Sequence, residues 1–132
     1  AADGDRILPG HIYIAPGDQH LALHMKGSNY YCKVLDSERV NLHKPSVEVL
    51  FNSITKQCAP DVIGVMLTGM GADGASAMLE MKSAGSYNII QDKESSVVWG
   101  MPGAAFEVGA GDSVLPLASI ASHIVMKLKS AK

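Results

Sequence analysis

The stretch VIGVMLTGMGADGASAMLEMKSAG, residues 62–85, governs how this chain is read. It opens on VIGVMLT, a continuous apolar and β-branched run of the kind that forms a strand covered on both faces. It closes on ASAMLEMKSAG, a helical pattern with Gly85 placed as its C-terminal cap. Between the two lies Gly69-Met70-Gly71-Ala72-Asp73-Gly74, formally a G-x-G-x-x-G turn. Strand, glycine turn and helix in that order are the opening of a parallel α/β unit.

The turn supports three readings. As a dinucleotide fingerprint it has the expected context, and Asp92 follows Gly74 at about the expected separation. Against this, Asp73 would place a carboxylate where a pyrophosphate needs bare amides and a helix N-terminus. In a second reading Asp73 is the N-cap of the helix that follows, worth about 1 kcal/mol. In a third it is a catalytic acid. Open α/β sheets place their chemistry just beyond the carboxyl ends of the strands. There, Gly69, Gly71 and Gly74 would let the backbone aim a carboxylate at a histidine and stabilise its cation.

Outward from this stretch, the helical stripe Val47, Leu50, Phe51, Ile54 and Cys58 runs from Pro45, suited to a first turn, to a stop at Pro60. Downstream, YNIIQ reads as a strand and MPGAAFEVGA as a short helix with Pro102 near its start. DSVLP gives a brief extended piece. LASIASHIVMKLK is a final helix with Leu117, Ile120, Ala121, Ile124, Val125 and Leu128 on one stripe and lysines at its C-terminus. Upstream, HIYIAPGD, HLALHMK and YYCKVL read as short strands of an antiparallel hairpin or meander, and DSERVNLHK as a polar loop. The alternation of strand and helix argues for an α/β fold with a parallel sheet, to which the meander would add an antiparallel edge.

Composition narrows the function classes. With 132 residues, 47% of them apolar, the chain is one domain or a piece of one, able to form a core. A net charge of −2 without a run of Lys or Arg gives no nucleic-acid stripe, and no apolar run is long enough to insert in a membrane. Cys32 and Cys58 lack C-x-x-C partners and read as two reduced thiols of a cytoplasmic protein. The opening AADGDRILPG has neither a signal pattern nor an initiator Met, as in a processed or excised segment.

A nucleophile and a base are harder to find. The chain has no G-x-S-x-G elbow. Ser95-Ser96 reads as turn chemistry, Ser46 as capping after Pro45, and Ser76 as a first-turn residue facing solvent or capping locally. His11, His20 and His24 fall in the strand region, His43 in the polar loop and His123 in the last helix, each reading as a surface or structural residue. No histidine pair has metal-site spacing, so neither a metal nor a cofactor is indicated.

VMLTGMGADGASAMLEMKSAG followed by IIQDKESSVVWGMPGAA resembles the core of the chemotaxis protein-glutamate methylesterases, the CheB family. DGDRILPGHIYIAPGDQHL and VNLHKPSVEVLF match the same family in the same order, so the resemblance covers nearly the whole chain. It implies an α/β catalytic domain with a doubly wound, mainly parallel sheet. The activity implied is hydrolysis of glutamate γ-methyl esters, and deamidation of glutamines, on methyl-accepting chemotaxis receptors by a Ser-His-Asp triad. Asp73 matches the triad aspartate, and Met70 with Gly71 the substrate and oxyanion region. The family's serine turn and histidine segment lie upstream of the block matched by DGDRILPGH, and neither occurs here; Gln19-His20 lies downstream of it. The chain, residues 1–132, therefore corresponds to the C-terminal two thirds of the catalytic domain. The receiver domain that answers to the chemotaxis histidine kinase, the linker and the Ser/His segments would precede it. Such a fragment is expected to be inactive alone and open to self-association through exposed strand edges. The alternatives are a dinucleotide-binding α/β domain, testable through the single Trp99, and a non-catalytic docking or regulatory module.

Overall fold

The computed structural model describes residues 1–130. Strands β1 (His20–Lys26) and β2 (Asn29–Leu35) form an antiparallel hairpin with Leu23 opposite Cys32. Helix α1 (Val47–Gln57) and a 3-10 turn (Ala59–Asp61) lead into β3 (Ile63–Met66). Then follow α2 (Ala75–Ser83), β4 (Tyr87–Gln91), α3 (Met101–Glu107), β5 (Ser113–Leu115) and α4 (Leu117–Ser130). Strands β3, β4 and β5 pair in parallel in that order, with Ile63 against Tyr87 and Ile89 against Ser113. The α/β architecture read from the alternating pattern is the one observed.

The hairpin, however, is a sheet of its own and not an antiparallel edge of the parallel one. Helix α1 is the reason. Its Ser53 hydroxyl accepts from the Leu23 amide, and Gln57 accepts from Met25 N–H while donating to Leu23 O, so side chains close the outer edge of β1. The opposite edge, on β2, is closed by the N-terminal segment, through Gly4 and Ile7 amides and the Asp5 carbonyl. Both edges are thus blunted against further pairing.

HIYIAPGD, expected as a strand, forms no regular element. Ile12 and Ile14 project into solvent, and Tyr13 turns its hydroxyl back to the Arg6 carbonyl and Leu8 amide. A β-branched sequence becomes a strand only where a partner strand receives it, and none lies alongside among the described residues.

The core joins Phe51, Ile54 and Cys58 of the α1 end to Met66 of β3, Met78 and Met81 of α2, and Ile90 of β4. Central strand β4 is buried on both faces, with Ile89 and Ile90 fully enclosed. The expectation of two-faced cover for VIGVMLT is met only in part. Gly64 and Met66 are buried, Ile63 and Val65 are half-buried and Leu67 is exposed, because β3 lies at the sheet edge. Along the stripe of α4, Ile120 is buried whereas Leu117, Val125 and Leu128 face solvent. Gly85, φ 115°, follows the last turn of α2 as expected of a C-terminal cap.

Candidate active site

Beyond the carboxyl end of β3 the glycine turn is laced to a segment thirty residues away. Gly69 bridges in parallel to Trp99; its amide donates to Val98 O at 3.0 Å, and its carbonyl accepts from the Gly100 and Met101 amides at 3.1 and 2.8 Å. A Cβ on Gly100 would stand 2.8 Å from Gly69 O and 2.9 Å from Gly71 N. The packing of GMPGAA against LTGMGADG therefore requires glycine there. Asp92, the residue a dinucleotide reading needs for a ribose, instead accepts from the Ser95 amide at 3.0 Å and its hydroxyl at 2.6 Å.

Asp73 is 5% exposed and caps a helix, but not the one that follows it. Position N-cap of α2 belongs to Gly74, at φ 85°, with no side-chain cap. The Asp73 carboxylate reaches across to the start of α1 instead. Oδ1 accepts from Ser46 Oγ at 2.7 Å and Asn41 Nδ2 at 3.0 Å, and Oδ2 accepts from the Val47 amide at 2.8 Å. Ser46 is itself the N-cap of α1, accepting from Glu48 N at 3.2 Å. The carboxylate and Ser46 thus answer orphan amides at the α1 N-terminus.

The carboxylate opens on a pocket of about 410 Å³, whose lining includes Asn41, His43, Glu48, Gly71, Asp73 and Ser76. Met70 stands at the turn's apex, 75% exposed, and Gly71 follows at φ 86°. Among the described residues neither amide donates a hydrogen bond. A Cβ on Gly71 would lie 4.0 Å from His43 Nε2, so this exposed histidine borders the glycine turn.

A serine, a histidine and Asp73 do meet, yet in an order that cannot perform catalysis. His20 is fully buried; its Nδ1 accepts from the Ser46 backbone amide at 3.1 Å, so Nε2 carries the proton and donates to Glu38 O at 2.8 Å. Both ring nitrogens are committed and Ser46 Oγ donates to aspartate rather than to an imidazole. This set is structural. Ser76 donates to Glu48 Oε1 at 3.0 Å, while Ser95 and Ser96 build the Asp92 turn, as expected of a serine pair in a loop. His123 sits at the opposite end of the sheet, 2.9 Å from Tyr87 Oη. Cys32 and Cys58 are free and buried, and burial pushes both thiols up, helped by Asp5 and Asp61 respectively. No group of three or more His, Cys, Asp or Glu among the described residues is placed to hold a metal.

Sequence reasoning missed Asn41 and Glu48. Asn41 and Leu42 have φ 52° and 68°, and Val40 and His43 exchange both backbone hydrogen bonds around them, as in a type I′ turn. An asparagine, tolerant of that region, was the available signal.

The family model for CheB methylesterase matches residues 1–124. The chain belongs to the CheB methylesterase family. Relatives named protein-glutamate methylesterase/protein-glutamine glutaminase include one from Albidiferax ferrireducens, 56% identical over 131 residues, covering 99% of this chain and 35% of that protein. Another, from Photorhabdus laumondii, is 48% identical over 132 residues, covering all of this chain and 38% of that protein. The solved CheB methylesterase catalytic domain of Thermotoga maritima superposes with a TM-score of 0.91 at 36% identity, covering 96% of this chain and 67% of that one. The chain thus spans about a third of the length of these curated relatives. No helix among the described residues is long and apolar enough to cross a membrane.

Proposed function

We propose that this CheB-family segment supplies the aspartate arm and part of the substrate cleft of a protein-glutamate methylesterase. The observation that carries this is the placement of Asp73. Its carboxylate is buried, held from outside its own turn, and open to a pocket at the carboxyl end of a parallel strand. In the whole enzyme a serine attacks the γ-methyl ester of a receptor glutamate and an imidazole takes the serine proton. Asp73 fixes that imidazole's tautomer and stabilises its cation. The unengaged amides at Met70 and Gly71 suit the developing oxyanion. Methanol leaves and water clears the acyl enzyme; a receptor glutamine treated the same way releases ammonia.

The serine and histidine would come from the portion of the methylesterase catalytic domain that this chain does not span. The unpaired edge of β3 is the natural seat for such a segment, since its free N–H and C=O groups lie beside the Asp73 end of the sheet. Without it, that edge and the uncovered apolar face of α4 favour self-association. A cytoplasmic setting, chemotaxis receptors as substrate, and control by a receiver domain and its histidine kinase belong to the same reading.

The test is methanol release from methylated receptor. The chain alone gives none above background. A chimaera in which it replaces its homologous stretch in a curated methylesterase relative is active, and Asp73→Asn in that chimaera abolishes the activity with the fold unchanged. Robust release from the isolated chain, or near-normal turnover after Asp73→Asn, overturns the assignment.

A further inference from the structure

We infer that Asn41 is a positioning residue for the Asp73 carboxylate, closing Oδ1 so that the catalytic imidazole is received at Oδ2 alone. The inference rests on the role proposed above for Asp73 and concerns how that role is enforced. A carboxylate offers about four lone-pair sites, two on each oxygen. On Oδ1 both are taken, by Ser46 Oγ at 2.7 Å and Asn41 Nδ2 at 3.0 Å. On Oδ2 the Val47 amide takes one at 2.8 Å. One acceptor site remains, on Oδ2, and the histidine Nδ1–H has a single place to bind.

Asn41 suits this task for chemical and conformational reasons. Its two amide protons go one each to Asp73 Oδ1 and Glu48 Oε2, both at 3.0 Å. Both partners only accept, so the nitrogen must face them and the amide orientation is fixed by the network. The same NH₂ group separates two carboxylates that would otherwise repel. Its backbone, at φ 52°, is the first central position of the tight turn closed by Val40 and His43, which presents the side chain to the turn carrying Asp73. Ser46 has a second duty as the cap of α1, whereas among the described residues the Asn41 side chain bonds only these two carboxylates.

The test uses the active chimaera. Asn41→Gly keeps a left-handed turn available and removes the amide. We expect kcat to fall about tenfold with KM little changed, because the imidazole gains a second, unproductive acceptor. A carboxylate relieved of a donor also holds more charge for the imidazolium, so the acid limb of the kcat/KM profile moves up by about half a pH unit. Asn41→Asp, isosteric and equally tolerant of the turn, sets a third carboxylate between two and lowers kcat further. A merely structural asparagine would lower the melting temperature and leave the pH profile in place. That result, or wild-type kcat in Asn41→Gly while Asp73→Asn is inactive, overturns this inference and leaves the Asp73 assignment standing. Near-normal turnover in Asp73→Asn overturns both.

Discussion

Two buried polar clusters lie around the parallel sheet, and they are finished differently. Asn88, on β4, is fully enclosed: Nδ2 donates to Met78 O and Ala110 O at 2.9 Å, and Oδ1 accepts from Ser86 Oγ at 2.8 Å. Its backbone N–H and C=O pair with the Asp112 carboxylate and amide at 2.7 and 2.8 Å. Every polar group there is answered within the protein, which ties α2 and the approach to β5 onto the central strand. Asp73, beyond the carboxyl end of β3, is almost as buried but stops one hydrogen bond short and faces a pocket. A closed cluster secures a fold. A cluster held rigidly with one acceptor in reserve can orient a reacting group.

The contrast can be broken from either side. The largest effect is expected at the open end: Asp73→Asn in an active chimaera lowers turnover by roughly ten-thousandfold, as a triad aspartate should. Its urea midpoint also falls, because the amide NH₂ takes the place of one accepting oxygen and faces a donor, either the Val47 amide or the Ser46 and Asn41 pair, so turnover is read per folded molecule. Asn88→Ala is the converse. It strands the Met78 and Ala110 carbonyls, and urea denaturation should read a loss of about 3 kcal/mol, with kcat per folded molecule unchanged. If Asn88→Ala selectively lowered kcat, the two clusters would not be separable.

A smaller effect sharpens the comparison. Leu42 sits at φ 68° and is 89% exposed, holding the second central position of the Asn41 turn in a conformation L-residues avoid. Leu42→Gly removes that strain but loosens the unfolded chain, and the balance is a gain of about 0.5 kcal/mol by urea denaturation. A destabilised Leu42→Gly would show the leucine to be packed rather than strained.

Much of the fold was legible because it is local. The stripe from Val47 to Cys58, the YNIIQ strand, the Pro102 helix and the Gly85 cap each follow from a few neighbouring residues, and each is observed. HIYIAPGD misled because its β-branched residues declare a preference that only a partner strand can satisfy. The cover of VIGVMLT was overestimated for the same reason: periodicity reports what a strand could bury, not where the sheet ends. At the site, the glycine turn drew attention to Asp73, whose carboxylate the structure places buried beside a pocket. Its capping partner was misread, because the nearest helix in sequence was assumed to be the nearest in space.

The sequence by itself determined the α/β alternation, the family and the acidic residue at the turn. Those are properties of periodicity and of short blocks read in order. Only the tertiary structure decided that Asp73 caps α1, that Ser46 and His20 are spent on structure, and that Asn41 shuts one side of the carboxylate. Hydrogen bonds between residues more than twenty-five positions apart depend on how helices and turns dock, and docking leaves no local trace in composition or spacing.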